Sequence, residues 1–250
     1  MLIDAVLYNG EEDLLEFRLR LLWSRVDKFV VVESNHTFSG KPKEFSSFGR
    51  FSWAAEKLLV SSLYMKPDSN PWINEANQRN AIVDACNNFG NHDILMVGDV
   101  DEIPSHAAVD FRRANDLLYP MACDQRIVPY SLDYVRDDNG WRGTVMCDLG
   151  YARGQTAQGV RDMRQRYSPF PNGGWHLTYF GGAKMIKRKL ESYSHQENNT
   201  PEIMERIEEC VKIGGKLLPE EKETKIIHVD QSFYPEYFIN LAPNHWWRKQ

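Results

Sequence analysis

Three short apolar runs constrain this chain most: Leu2 to Tyr8, Phe29 to Val32 and Ile94 to Val97. Each has the length of a strand, and each stops at a polar residue or a turn signal: Asn9-Gly10, Glu33 and Gly98-Asp99. Continuous apolar runs fit strands buried on both faces, as in the middle of a parallel sheet, better than strands with one face in water. Between the first two the period changes. Leu15, Leu19 and Leu22 recur on one helical face within Glu11 to Trp23, and Glu11, Glu12 and Asp13 fill the first turn, where the helix dipole favours acids. The first third therefore reads β-α-β, and ligands of such sheets bind outside the carboxyl ends of the strands.

Further along, residues 34 to 72 read as loop around one more strand, with a short helix over Trp53 to Leu59. Glu75 to Phe89 returns to helical spacing through Ile82, Cys86 and Phe89, and leads into the third apolar run. Beyond it the pattern predicts a helix over Ala107 to Leu118, strands over Ile127 to Tyr134 and Thr144 to Leu149, and a helix over Ala183 to Tyr193 behind Gly181-Gly182. No repeat or interdomain linker interrupts the 250 residues. A single core grows to roughly that length before chains divide, so one domain, 1-250, is expected.

The third strand runs straight into Gly98-Asp99-Val100-Asp101-Glu102-Ile103-Pro104. Strand side chains alternate with period two, so the carboxylates of Asp99 and Asp101 point to one side and both can reach one ion. Hard oxygen donors select Mg²⁺ or Mn²⁺, which keep open positions for phosphate oxygens. The alternative is a turn in which the aspartates cap the next helix. Three crowded acids need a cation, which favours a metal site.

Charge narrows the partners. Lys+Arg number 30 against Asp+Glu 35, a net charge of -5, which argues against a nucleic-acid partner. No stretch reaches the roughly 20 apolar residues of a membrane span, and the N-terminus has no leader signature, so a cytoplasmic protein is expected. Cys86, Cys123, Cys147 and Cys210 lie too far apart in sequence for a zinc cage and read as buried free thiols.

Several segments together resemble glycosyltransferase family 17, the group that contains the enzyme adding bisecting N-acetylglucosamine to N-glycans. They are Asn9-Gly10-Glu11-Glu12-Asp13-Leu14-Leu15-Glu16 with Arg18, Val32-Glu33-Ser34-Asn35-His36-Thr37-Phe38-Ser39-Gly40-Lys41-Pro42, Gln78-Arg79-Asn80, Asp99-Val100-Asp101-Glu102-Ile103-Pro104 and Gly173-Gly174-Trp175-His176. The resemblance implies a GT-A fold, with a Rossmann-like, mostly parallel central sheet flanked by helices. It also implies a UDP-sugar donor, UDP-N-acetylglucosamine in known members, with Mn²⁺ or Mg²⁺ as cofactor, a carbohydrate or glycoconjugate acceptor and inversion to a β linkage. Unlike the animal members, the protein is expected to lack a membrane anchor and stem.

By the same resemblance His176 joins Asp99 and Asp101 as a metal ligand; a hydrogen-bonded core histidine is the equal alternative, and His228 a weaker rival. Glu33, ending the second strand, is a candidate for the ribose or base, and Asn9 and Glu11 for the same pocket. Arg79 offers a planar, permanent charge for phosphate, with Lys41 and Lys189 behind it. Trp175, Tyr179, Phe180 and the Trp246-Trp247 pair are sugar platforms or core. Candidates for the general base are Glu197, Asp148 and Asp162, with Glu197 first for its His195-x-Glu197 pairing. Two other classes compete: a sugar-nucleotide nucleotidyltransferase, disfavoured by the acidic turn after the first strand, and a non-catalytic carbohydrate-binding protein.

Overall fold

The computed structural model describes residues 1–47, 49–137, 140–219, 221 and 226–248. The N-terminal half alternates strand and helix: β1 (Leu2–Tyr8), α1 (Glu12–Leu22), β2 (Lys28–Ser34), β3 (Leu58–Leu63), α2 (Pro71–Ala85) and β4 (Ile94–Asp99). After the acidic turn come β5 (Glu102–Pro104), α3 (His106–Ala114), β6 (Met121–Pro129), β7 (Tyr134–Arg136), β8 (Trp141–Asp148), α4 (Leu149–Gln155) and α5 (Ala157–Asp162). The remainder holds β9 (Ser168–Thr178), α6 (Gly182–Ser192), α7 (Pro201–Ile213), β10 (Ile226–His228) and α8 (Glu236–Ile239).

Eight strands form one sheet in the order β3-β2-β1-β4-β8-β6-β9-β5, and β7 pairs with β10 apart from it. The β3-β2, β2-β1, β1-β4 and β6-β9 pairings are parallel; β4-β8, β8-β6 and β9-β5 are antiparallel. The sheet is thus mostly parallel, in an α/β fold. The three apolar runs lie side by side, and period two sorts their side chains. Ile3, Ala5, Leu7, Val30, Val32, Leu95 and Val97 face a core completed by Ile82 of α2, Leu149 and Ala152 of α4 and Val160 of α5. Leu2, Val6, Tyr8, Phe29, Val31 and Met96 face the opposite core with Leu15, Leu19 and Leu22 of α1, Phe238 of α8 and Trp246. A third cluster joins α6 and α7 through Ile186, Leu190, Ile203 and Ile207, against Tyr130 and Tyr179.

The predicted helix over Trp53 to Leu59 is corrected. A single 3₁₀ turn covers Ser52–Ala54, and Leu58 opens the edge strand β3. That strand is half exposed along its length, so its apolar residues carry no clear period. Strand β9 and helix α7 are additions to the sequence reading. β9 contains Pro169, Pro171 and the Gly173-Gly174 pair, residues that read as a turn. Gly174 (φ 140°) is required there, because a Cβ would overlap the Ile103 carbonyl oxygen of β5. All four cysteines are free and buried. Among the described residues no helix is long and apolar enough to cross a membrane.

Candidate active site

Strands β1, β2 and β4 end together at one edge of the sheet, which delivers Asn9, Glu33 and Asp99 to the same side. Short β5 then turns back against β9, with Glu102 opposite His176 and Ile103 opposite Trp175. The Leu177 amide donates to the Asp101 carbonyl (2.8 Å), so β9 carries His176 to the acidic turn.

The turn is fastened from below by Arg18 of α1. Its guanidinium binds both Asp4 oxygens (2.6 and 2.7 Å) and donates to the carbonyls of Glu102 (2.6 Å) and Asp99 (3.2 Å). Both members of that ion pair are fully buried. Above the turn each acid meets a cation. Asp99 accepts from Arg79 Nη2 at Oδ1 (2.7 Å) and from Arg161 Nη2 at Oδ2 (3.0 Å). Arg161 also binds Glu102 and donates to the Gly143 carbonyl (3.0 Å), while Arg79 reaches Glu75 (2.9 Å) and Gln158 (2.5 Å). Glu102 further accepts from Trp141 Nε1 (2.5 Å) and from the Asp99 amide (3.1 Å). Asp101 binds Lys189 Nζ at 2.7 Å, and His176 Nε2 stands 3.6 Å from the same oxygen.

Burial alone would raise the pKa of both aspartates. For Asp99 the Arg161 and Arg79 charges more than reverse this, and for Asp101 Lys189 and His176 do, so both carboxyls are held far below the usual range. Lys189 is shifted upward, the charge of Asp101 overcoming its desolvation. Glu11 moves opposite to the two aspartates. Burial raises its pKa despite the Asn9 amide bond and the nearby Lys189.

A pocket opens beside Asp101. Its walls are the β1-α1 turn from Asn9 to Leu14, Leu177, the Tyr179-Phe180-Gly181 bend, the Met185 to Ser192 face of α6, and Trp246. Helix α6 is pinned to the β1 end: Arg188 donates to the Asn9 carbonyl (2.8 Å) and Asn9 Nδ2 to Ser192 Oγ (2.9 Å). Gly10, at φ 95°, leaves room for the Arg188 guanidinium.

The model of glycosyltransferase family 17 matches residues 1–227. This chain belongs to glycosyltransferase family 17. It is 32% identical over 126 residues to the human β-1,4-mannosyl-glycoprotein 4-β-N-acetylglucosaminyltransferase, a match covering 46% of this chain and 24% of that protein. The chain thus aligns with about a quarter of the length of that relative. Among solved structures it is similar to 4-diphosphocytidyl-2C-methyl-D-erythritol synthase (14% identity, 68% of this chain, 88% of that one, TM-score 0.42). It is also similar to the glycosyltransferase GlyE of Streptococcus pneumoniae (14% identity, 68% and 45%, TM-score 0.38).

In this family-17 chain the expected residues Asn9, Glu11, Arg79, Asp99, Asp101, His176 and Lys189 come together around the acidic turn and its pocket. Others do not. Glu33 is fully buried and spends its carboxylate on Lys43 (2.6 Å), the Ser46 and Ser47 amides (3.0 Å each) and Ser47 Oγ (2.5 Å), anchoring a loop. Trp175 is core, packed on Phe238 with ring centroids 4.7 Å apart. Lys41 is exposed on a loop. Asp148 pairs with Ile94, at the far end of β4 and about 16 Å of strand from Asp99, where it binds Arg112. Asp162 is exposed and accepts from Gln158 (2.8 Å), one step removed from Arg79. Glu197 stays on the surface, bound to His195 (2.6 Å). Arg161 and Arg188 went unnoticed in the sequence; the signal for Arg161 was three crowded acids with too few cations assigned to them.

A divalent ion held by both aspartates does not fit this donor set. Both Asp99 oxygens are bound by buried guanidinium groups, and Lys189 occupies the Asp101 oxygen nearest His176. Among the described residues no group of three or more His, Cys, Asp or Glu side chains is arranged to hold a metal.

Proposed function

We propose that this chain transfers a sugar, N-acetylglucosamine first, from a UDP-sugar to a glycan hydroxyl with inversion to a β linkage. The observation that carries this reading is the acidic turn of a family-17 chain, charge-paired at the carboxyl ends of parallel strands and opening on a pocket where Arg188 and Lys189 face the acids Asp101, Glu11, Glu12 and Asp13 beside aromatic walls. The relative's name supplies N-acetylglucosamine and a mannosyl-glycoprotein as the first donor sugar and acceptor class to try.

In this reading the acceptor oxygen attacks the anomeric carbon from the face opposite the diphosphate. The carbon–oxygen bond to the diphosphate breaks, and its electron pair leaves with UDP. The hydroxyl proton passes to Glu11, a pocket carboxyl whose pKa burial raises above the ordinary value, which makes it a stronger base than an exposed glutamate. Tyr179 and Phe180 are mostly buried in the core, and their remaining edges form part of the pocket wall.

Titration of UDP-N-acetylglucosamine by calorimetry, with UDP-glucose and UDP-galactose as competitors, tests the donor. Saturable binding that prefers the N-acetyl sugar, followed by product on a glycan array, is expected. Binding with donor hydrolysis but no acceptor product would sink the transferase reading, and absence of binding to any nucleotide sugar would sink the donor class.

A further inference from the structure

Resting on that reading, we propose that Lys189, seconded by Arg188, takes the position of a divalent cation at the donor diphosphate, so that donor binding and transfer proceed without metal. Each Asp99 oxygen already accepts from a guanidinium, Arg79 or Arg161, whose side chains are only 2% and 5% exposed, so an ion ligated by Asp99 would stand against two fixed, buried positive charges. Asp99 therefore serves to orient two arginines.

Asp101 differs, since its cation can move. Lys189 Nζ lies 2.7 Å from Oδ2, where an ion ligated by that oxygen would sit at about 2.1 Å, and two positive charges do not share the place. The ammonium has three donors and uses one on Asp101. Its side chain is 34% exposed, and it lines the pocket next to Arg188. Two N–H groups of Lys189 thus remain for phosphate oxygens, and the Arg188 guanidinium adds a planar fork beside them. When the anomeric carbon–oxygen bond breaks, the electron pair moves onto the diphosphate, and these fixed cations stabilise the charge that develops. The acceptor oxygen forms the new bond and Glu11 receives its proton, so no further reactant is required.

The test is donor binding and initial transfer rate for the whole chain in EDTA and in Mn²⁺, with Mn²⁺ alone titrated by electron paramagnetic resonance. EDTA is expected to change the donor Kd by less than about twofold, and Mn²⁺ alone to show no stoichiometric site. Lys189→Gln should weaken UDP-sugar binding about tenfold or more, as loss of a charge-assisted hydrogen bond does, in a protein that melts lower because Asp101 loses its partner but stays folded at the assay temperature by circular dichroism, while Lys189→Arg should recover part of the binding. Donor binding that appears only with Mn²⁺, or a K189Q variant that binds as the parent does, would overturn the inference and leave the transferase reading intact. Failure to bind any nucleotide sugar in either condition would overturn both.

Discussion

Glu11 holds the clearest conflict between stability and chemistry at the level of a single residue. Its folded pKa lies above the unfolded value, so the fold prefers it protonated. Its contribution to stability is present below the unfolded pKa, about 4.3, and is lost as pH rises through the folded value. Glu11→Gln should accordingly raise the melting temperature at pH 7 while removing the acid-side limb of the pH–rate profile; an unchanged profile would take Glu11 out of the proton step. Arg161 shows the opposite balance. Its removal leaves Glu102 charged and fully buried, so Arg161→Ala should cost about 3–5 kcal/mol in urea unfolding. At this scale the acidic turn was legible from sequence, because Asp99, Asp101 and Glu102 follow an apolar run directly. Their compensation was not. Glu33 looked like a free carboxylate at a strand end, and only the return of the 43–47 loop shows it is already spent.

Among the elements, β1, α1, β2, α2 and β4 were readable because burial on both faces gives apolar runs and burial on one face gives a 3.6 period. Strand β9 was hidden, since Pro and Gly within it are tolerated for reasons that only its neighbours supply. Gly174 illustrates this. Gly174→Ala would push β9 off β5 and move His176 from Asp101, so a lowered melting temperature is expected in thermal unfolding. Arg18 joins three elements with one side chain: α1 on which it sits, β1 through Asp4, and the β4-β5 turn through two carbonyls. Arg18→Ala should cost about 3–5 kcal/mol, whereas replacing both partners by apolar residues of similar volume should recover most of that in chemical denaturation.

Across the whole molecule the two depressed aspartates set an acid boundary. Asp99 and Asp101 have folded pKa values below their unfolded ones, so the stability they confer is complete above the unfolded value near 3.9 and drains away as pH falls further. Thermal midpoints should therefore fall steeply below about pH 4, and less steeply in Asp99→Asn; parallel curves would assign the acid transition to other groups. The pinning of α6 onto the β1 end has a consequence for how the protein is made. Asn9 meets Arg188 and Ser192 across 179 and 183 positions of sequence, and Lys189 meets Asp101 across 88. On the ribosome the sheet edge and its acids emerge long before the helix that neutralises Asp101. Such distant pairings close late in folding, so a nascent chain holds an acidic turn still awaiting its lysine, and competence to bind donor is among the last properties it acquires.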